Sequence, residues 1–220
     1  MAKKKLIRFT ENLSFLHLFQ PRYMDLSPHF WLQGKWGSEY FRNEHPITLE
    51  LGCGKGEYTV GLAHHSPEKN FIGIDIKGAR LWRGCKTVEE EGLKNVAFIR
   101  IRADHIESLF APGEIAEIWI AFPDPQVGKK RKRLTSPVFL NRYKKILTRS
   151  GIIHLKTDDR NLFTYTLEKA KEFNMDLILA TEDLYKTHPD EPAAKIQTYY
   201  EEIWLEEGRQ ISYLKFRFKE

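Results

Sequence analysis

A glycine-rich segment is the first feature of the sequence that could do chemistry. Gly52 and Gly54 follow Glu50 at the end of a short apolar run, in the spacing E-x-G-x-G-x-G. Glycines let the chain turn sharply and let a ligand approach the backbone closely. A dinucleotide fingerprint would have its third glycine where this chain has Glu57, and a carboxylate there would repel a pyrophosphate. The loop therefore favours a cationic or neutral ligand.

Two acidic residues follow the next two apolar runs. Asp75 ends the second run, about 20 residues after Gly54, where an acid can accept the hydroxyls of an adenosine ribose. Asp104 follows the third run, where it could meet the adenine edge. Together with the glycines, these acids predict a nucleoside-cofactor site. The alternative is a purely structural turn at the glycines and a helix cap at Asp75.

A third acidic residue, Asp124, stands between Pro123 and Pro125 where the fourth apolar run ends. Prolines restrict the backbone and stop strand pairing, so they hold this carboxylate stiffly. Nine basic and no acidic residues follow between positions 126 and 149, beginning with Lys129 and Lys130. Such a patch is typical of a nucleic-acid binder, although a solvated surface run is the alternative. Because the patch directly follows Asp124, we expect it to bind nucleic acid beside the active site.

The elements that must position these residues alternate along the chain. Strands are predicted over 47–51, 70–76, 96–102, 115–122, 151–156, 176–181 and 211–218. Helices are predicted over 57–65, 77–91, 137–149 and 161–173. The pattern predicts an α/β fold, a doubly wound, mostly parallel seven-stranded sheet with helices on both faces. The last strand alternates apolar and polar residues, so it is predicted to be antiparallel, in a hairpin-like arrangement without a crossover helix.

The first 45 residues contain proline and glycine breakers and many aromatic residues. They predict a partly irregular N-terminal extension, over 1–45, whose aromatic side chains pack onto a domain over 46–220. The composition is that of a globular protein, with 41% hydrophobic and 30% charged residues and a net charge of +5. We expect no membrane span, because the apolar runs are short, and a cytoplasmic location. Cys53 and Cys85 cannot form a four-ligand zinc site, and no metal is predicted.

Four motifs in order resemble those of the bacterial tRNA (guanine-N7-)-methyltransferases, a family of class I S-adenosylmethionine-dependent enzymes. They are Glu-x-Gly-x-Gly at 50–54, Phe-Pro-Asp-Pro at 122–125 with its basic cluster and Arg-Leu-Thr at 133–135, Leu-Lys-Thr-Asp at 155–158, and Thr-Tyr-Tyr-Glu at 198–201. The resemblance covers about residues 36–218. It implies a Rossmann-like fold, S-adenosylmethionine as cofactor and methyl transfer to N7 of a guanosine in tRNA, at variable-loop position 46.

The resemblance also implies roles for individual residues. With the loop glycines, the expected cofactor contacts are Glu50, Gly52, Gly54, Asp75, Asp104 and Asp124. The expected guanosine or tRNA contacts are Lys129, Lys130, Asp158, Thr198, Tyr199, Tyr200 and Glu201. The family usually has tryptophan where this chain has Gln126, and its lysine falls on Gly128 here. The nearest lysines that follow are Lys129 and Lys130.

Guanine N7 carries a lone pair and no proton, so its methylation requires no general base. Catalysis then depends on positioning and on exclusion of water, and Asp124 is the expected catalytic residue. A carboxylate that accepts from guanine N1–H and N2–H₂ would orient N7, and Asp124, Asp158 and Glu201 all remain candidates. The alternatives are a class I methyltransferase that acts on another RNA or another acceptor, a non-catalytic RNA-binding protein, and an NAD-dependent oxidoreductase. Glu57 disfavours the oxidoreductase. The sequence leaves monomer and homodimer open.

Overall fold

The computed structural model describes residues 2–219 and contains one eight-stranded sheet. Its strands are β1 (Leu18–Phe19), β2 (Ile47–Leu51), β3 (Asn70–Asp75), β4 (Val96–Arg100), β5 (Ile115–Ala121), β6 (Leu147–Thr157), β7 (Asp176–Thr181) and β8 (Ser212–Arg217). Their order across the sheet is β1-β4-β3-β2-β5-β6-β8-β7. All neighbours from β1 to β6 are parallel, whereas β8 runs antiparallel to both β6 and β7. The predicted α/β class and the antiparallel last strand are confirmed.

Helices cover both faces of this sheet. They are α1 (Ala2–Glu11), α2 (Glu57–His65), α3 (Gly78–Glu91), α4 (Ile106–Leu109), α5 (Pro137–Ile146), α6 (Arg160–Glu172), α7 (Leu184–Thr187), α8 (Pro192–Lys195) and α9 (Tyr199–Glu206). Short 3-10 turns occur at Tyr23–Leu26, Ala103–His105 and Lys130–Lys132, and a π-helix spans Trp36–Phe41. Two apolar clusters form the core, one on each face of the sheet. The central strands are buried on both faces, and most of their residues are therefore apolar.

Two topological expectations are wrong. The sheet has eight strands rather than seven, because the extension adds β1 beside β4, where Phe98 N donates to His17 O at 2.7 Å. The last two strands are not a hairpin, because α7, α8 and α9 lie between them. A two-residue strand and four-residue helices are too short to give a periodic signal, so tertiary contacts determine them.

The extension packs onto the rest of the fold through most of its aromatic side chains, as predicted, although Tyr23 and Trp31 are largely exposed. Trp36 is fully buried and its indole N–H donates to Leu109 O at 3.0 Å. Phe19 contacts Trp36 edge-to-face with ring centroids 5.1 Å apart, and Tyr40 at 5.2 Å. Each such pair adds to the stability gained from area burial. The division into an extension and a domain at residue 45 stays a prediction. Within residues 2–219, no helix is both long and apolar enough to cross a membrane.

The strand order reverses between β2 and β5, since the chain continues from β2 to β3 on one side and reaches β5 on the other. Ligands in open α/β sheets bind at such a switch point, outside the carboxyl ends of the strands. The loops that follow β2 and β5 therefore face the expected site.

Candidate active site

The glycine loop between β2 and α2 forms one side of this site. Gly52 and Gly54 have φ of 77° and 59°, in the left-handed region that side chains rarely adopt. The N–H groups of Gly52 and Cys53 both donate to Ile74 O, at 2.8 and 3.0 Å, which fixes the loop to the end of β3. A Cβ added at either glycine would have no neighbour closer than 4.0 Å. The dihedral angle, rather than crowding, therefore requires glycine.

Asp75 ties this loop to the start of α3. One carboxylate oxygen accepts from Gly54 N at 3.0 Å and the other from Lys77 N at 2.7 Å. Each carboxylate oxygen has a second acceptor site, so both can still accept a ribose hydroxyl. The backbone bonds hold the carboxylate in place before a ligand arrives. Its contact with the ribose stays a prediction.

Glu50 is buried at the end of β2 and accepts a hydrogen bond from the Thr59 hydroxyl. Burial raises the pKa of Glu50 to about 7, and the Thr59 bond only partly opposes this effect. Asp75 and Glu57 add a smaller repulsion that acts in the same direction as burial. A cationic group bound beside Glu50 would favour the ionised carboxylate.

A cavity of about 320 Å³ opens between the glycine loop and the C-terminal helices. It is lined by Glu50, Gly52, Cys53, Gly54, Lys55, Glu57, Tyr58, Arg80, Ala121, Phe122, Thr198, Tyr200 and Trp204. The cavity thus brings three of the six predicted cofactor residues, Glu50, Gly52 and Gly54, together with two of the predicted substrate residues, whereas Asp75, Asp104 and Asp124 are not part of its lining. Its volume is in the range of small-molecule sites.

The chain takes an unusual path around Asp124. Phe122 and Gln126 have φ of 47° and 48°, which is strained for residues with side chains. Phe122 N donates to Lys156 O at 2.8 Å, and one Asp124 oxygen accepts from Gln126 N at 2.9 Å. Asp124 is exposed and lies two residues beyond Phe122, which lines the cavity. Strain of this kind often marks a functional segment.

Asp104 lies in the 3-10 turn after β4, where arginines surround it. Its carboxylate accepts from Arg102 Nε at 3.0 Å and Nη2 at 2.8 Å, and Arg142 Nη1 lies 3.7 Å away. Asp104 does not line the cavity beside the glycine loop. Its contact with adenine stays a prediction.

The predicted tRNA contacts Lys129 and Lys130 are exposed in the basic loop after Gln126. The buried Arg133 anchors this loop, because its Nε donates to Pro125 O at 2.9 Å and its guanidinium lies 4.4 Å from the Tyr165 ring centroid. Asp158 follows β6 and is half-buried, with Arg209 Nη1 3.4 Å from its carboxylate. All three predicted contacts lie outside the cavity lining, and their roles stay predictions.

The predicted substrate residues at 198–201 divide into two groups. Thr198 and Tyr200 line the cavity, while Tyr199 and Tyr200 are exposed and face the Lys55 ammonium, 5.1 and 5.8 Å from their ring centroids. Glu201 is completely buried, and its carboxylate lies 2.6 Å from Lys156 Nζ. Glu201 is thus buried and absent from the cavity lining, unlike Thr198 and Tyr200 of the same motif.

Sequence reasoning assigned no site role to several residues that line or support the cavity, and four of them bear on the chemistry. They are Arg80, Phe122, Lys156 and Trp204. Lys156 had a signal, as the only lysine in the strand predicted over 151–156, and Trp204 lies one helical turn after Tyr200. Thr-x-x-Glu at 198–201 also matches a helix capping box, which would have indicated that Glu201 turns back to its helix. In the described part of the chain, no group of three or more His, Cys, Asp or Glu side chains could hold a metal ion.

Solved structures with the same fold are methyltransferases. The 16S rRNA methyltransferase KamB superposes with a TM-score of 0.65 at 13% identity, over 86% of this chain and 95% of that one. A 16S rRNA (adenine(1408)-N(1))-methyltransferase solved with S-adenosylmethionine gives a TM-score of 0.59 at 11% identity, over 85% and 91%. At these identities the likeness shows the fold alone, which is that of a class I, Rossmann-like methyltransferase.

Sequence relatives define the family more closely. A family model described as "Putative methyltransferase" matches residues 44–214. Proteins named tRNA (guanine-N(7)-)-methyltransferase are 51% identical in Christiangramia forsetii, over 99% of both chains, and 49% identical in Bacteroides thetaiotaomicron, over 99% of this chain and 86% of that protein. The chain belongs to the tRNA (guanine-N(7)-)-methyltransferase family. The resemblance drawn from the four motifs is confirmed, and S-adenosylmethionine is the methyl donor.

Proposed function

We propose that this chain transfers the methyl group of S-adenosylmethionine to N7 of a guanosine in tRNA, at variable-loop position 46. The observation that carries the proposal is the single cavity shared by the glycine loop and the acceptor motif at 198–200. A cavity bounded by both motifs would place a methyl donor beside an acceptor base. The exposed basic loop at its edge supports a polyanionic acceptor.

The cofactor half of the cavity suits a sulfonium ligand. Glu50 and Glu57 line this half together with Lys55 and Arg80, and Lys55 Nζ lies 3.8 Å from the Glu57 carboxylate. The Glu50 carboxyl is therefore the group that can match the positive charge of S-adenosylmethionine. Gly52 and Gly54 leave the backbone open to an approaching ligand, and Asp75, which bonds to Gly54 N from outside the cavity lining, has two fixed oxygens that would accept from the ribose. When bound, S-adenosylmethionine would supply an electrophilic methyl group: guanine N7 gives its lone pair to the methyl carbon as the carbon–sulfur bond breaks, and S-adenosylhomocysteine leaves with the bonding electrons.

The acceptor half suits a flat base. Phe122 and Trp204 meet edge-to-face with ring centroids 5.1 Å apart, and Tyr200 lies 6.2 Å from Trp204 at an angle of 29°. Aromatic surfaces hold unstacked bases by about 1–3 kcal/mol each, which helps to offset the cost of removing guanosine from its stack. We place the guanine against this aromatic wall, formed by Phe122, Tyr200 and Trp204.

The rigid segment after β5 then orients the base. Asp124 follows the aromatic wall directly and accepts a bond from Gln126 N with only one of its oxygens, so the other is available to guanine N–H groups. A charged acceptor makes a hydrogen bond about twice as strong as a neutral one. Because N7 has no proton, this chain needs to supply alignment and a dry site rather than a base.

A methyl-transfer assay tests the proposal. Unmodified tRNA is incubated with the purified chain and labelled S-adenosylmethionine, and the modified nucleoside is mapped by mass spectrometry. We expect 7-methylguanosine at position 46, and no product from a transcript with adenosine at that position. A methyl group on another base or atom, or no transfer to tRNA at all, would contradict the proposal.

Trp204 provides a variant for the base-binding step. Trp204→Ala removes the centre of the aromatic wall but leaves the glycine loop intact, so we expect a raised KM for tRNA of about tenfold. Affinity for S-adenosylmethionine should change much less, and calorimetry measures it separately.

We also propose a cytoplasmic location, where tRNA substrates are available, which cell fractionation with an antibody would check.

A further inference from the structure

Lys156 and Glu201 form an ion pair that is completely buried. Lys156 lies near the end of β6 and Glu201 in the first turn of α9, and both side chains have no exposed area. Their Nζ and Oε1 atoms are 2.6 Å apart. Taking two charges out of water is costly, and an apolar pair of similar size is often at least as stable. The pair is therefore better explained by what it holds in place than by stability.

The ammonium of Lys156 connects several segments. Its Nζ donates to Ala193 O at 2.5 Å and to Ile196 O at 3.0 Å, and it lies 3.3 Å from the Tyr185 hydroxyl. The backbone carbonyl of the same residue accepts from Phe122 N. A single residue thus fixes Phe122 on one side of the cavity and the chain leading into α9 on the other.

The carboxylate of Glu201 is equally occupied. Oε1 receives both Lys156 and the Tyr185 hydroxyl, each at 2.6 Å, and Oε2 accepts from Thr198 N at 3.3 Å. The Thr198 hydroxyl accepts from Glu201 N in return, which completes a capping box at the start of α9. The carboxylate is therefore shielded from solvent and bonded to Lys156, Tyr185 and Thr198.

We propose that Lys156 and Glu201 are positioning residues that set the acceptor side of the cavity, and that Glu201 does not bind guanine. The pair fixes Thr198 directly and, through α9, Tyr200 and Trp204. The inference rests on the proposed function, because it concerns the wall against which the guanine lies. It assigns the guanine-orienting carboxylate to Asp124 or Asp158.

Glu201→Gln tests the positioning role. Glutamine keeps an acceptor for Thr198 N, as capping boxes allow, but leaves Lys156 without a counter-charge. We expect the KM for tRNA to rise about tenfold or more, while S-adenosylmethionine affinity by calorimetry stays within about threefold. Glu117→Gln is the matched control, because it also removes a shielded carboxylate from a lysine, Lys69 at 2.7 Å, at a separate site. The control should leave the KM for tRNA within about threefold.

Inosine at the target position separates positioning from direct contact. Inosine lacks the guanine N2 amino group but keeps N7, so it removes one bond to the orienting carboxylate. If Glu201 acts only by positioning, the effects of Glu201→Gln and of inosine on kcat/KM should multiply within about threefold. Asp124→Asn and Asp158→Asn are tested alongside, and the true guanine ligand should show little further loss with inosine.

The outcomes are distinct. Wild-type kinetics for Glu201→Gln, an equal loss of cofactor affinity, or a non-multiplicative effect with inosine would each overturn the proposal. If Glu201→Gln fails to fold, Tyr185→Phe removes one bond to the same carboxylate; we expect a smaller rise in the KM for tRNA, and no change would overturn the proposal. A wild-type chain that methylates no guanosine would instead refute the proposed function, and this inference with it.

Discussion

The ionisation of Glu50 is expected to make cofactor binding depend on pH. Burial raises its pKa to about 7, so near pH 6 the carboxyl is mostly protonated in the free protein. A bound cation favours the ionised form, and binding must then displace the proton. With this pKa, about one-tenth of the molecules carry the carboxylate at pH 6 and about nine-tenths at pH 8. The apparent Kd for S-adenosylmethionine should therefore fall about tenfold between these values.

Calorimetry on the wild type and on Glu50→Gln across this pH range measures the effect. Glutamine still accepts the Thr59 hydroxyl but cannot ionise, so the ratio of the two Kd values isolates Glu50 from titration of the ligand itself. The ratio should shift about tenfold from pH 6 to pH 8, which corresponds to about 1.4 kcal/mol. Parallel pH profiles for the two proteins would refute the reasoning, because they would show that binding does not sense this carboxyl.

Three further predictions concern the other site residues. Asp75→Ala should weaken S-adenosylmethionine binding by about 1.5–3 kcal/mol, since hydrogen bonds to a charged group are lost; unchanged calorimetric affinity would argue against a ribose contact. Asp124→Asn should reduce the rate of methyl transfer about 100-fold in a folded protein; a near wild-type rate in single-turnover assays would show that Asp124 has no role in the site. Neutralising Lys129, Lys130 and Arg131 together should raise the KM for tRNA and flatten its salt dependence by about 0.7–0.9 log units per lost phosphate contact, so an unchanged slope would place the RNA elsewhere.

The parallel part of the sheet was predictable because its strands have a strong local signal. In β2 all five residues are buried, and the sequence there is apolar apart from Thr48 and Glu50. The short elements had no such signal. Strand β1 exists because the extension pairs with β4. Helices α7 and α8 are single turns, and Lys156 holds the carbonyls of Ala193 in α8 and of Ile196 directly after it. Their structure depends on contacts between distant residues, which periodicity does not record.

The two halves of the candidate site also differed in how far the sequence predicted them. The glycine loop was predictable since its turn is encoded by adjacent residues, and Asp75 bonds to the loop at the end of the neighbouring strand. The acceptor half depends on a lysine and a glutamate that lie far apart in sequence and meet only in the folded chain. A motif that places Glu201 beside Tyr200 suggests a shared role, although the helix start turns their side chains in different directions.

The segment from Phe122 to Gln126 explains how such an arrangement could accelerate a reaction that needs no base. Both ends of the segment have a left-handed backbone, which costs about 1–3 kcal/mol each and persists only where surrounding bonds enforce it. Here the Lys156 carbonyl holds the first end, and Arg133 holds Pro125 near the second. These bonds fix the backbone on both sides of Asp124, whose carboxylate accepts from Gln126 N, and this is the segment that we propose orients the guanine. The strain is incurred during folding rather than during turnover, which is what catalysis by positioning requires.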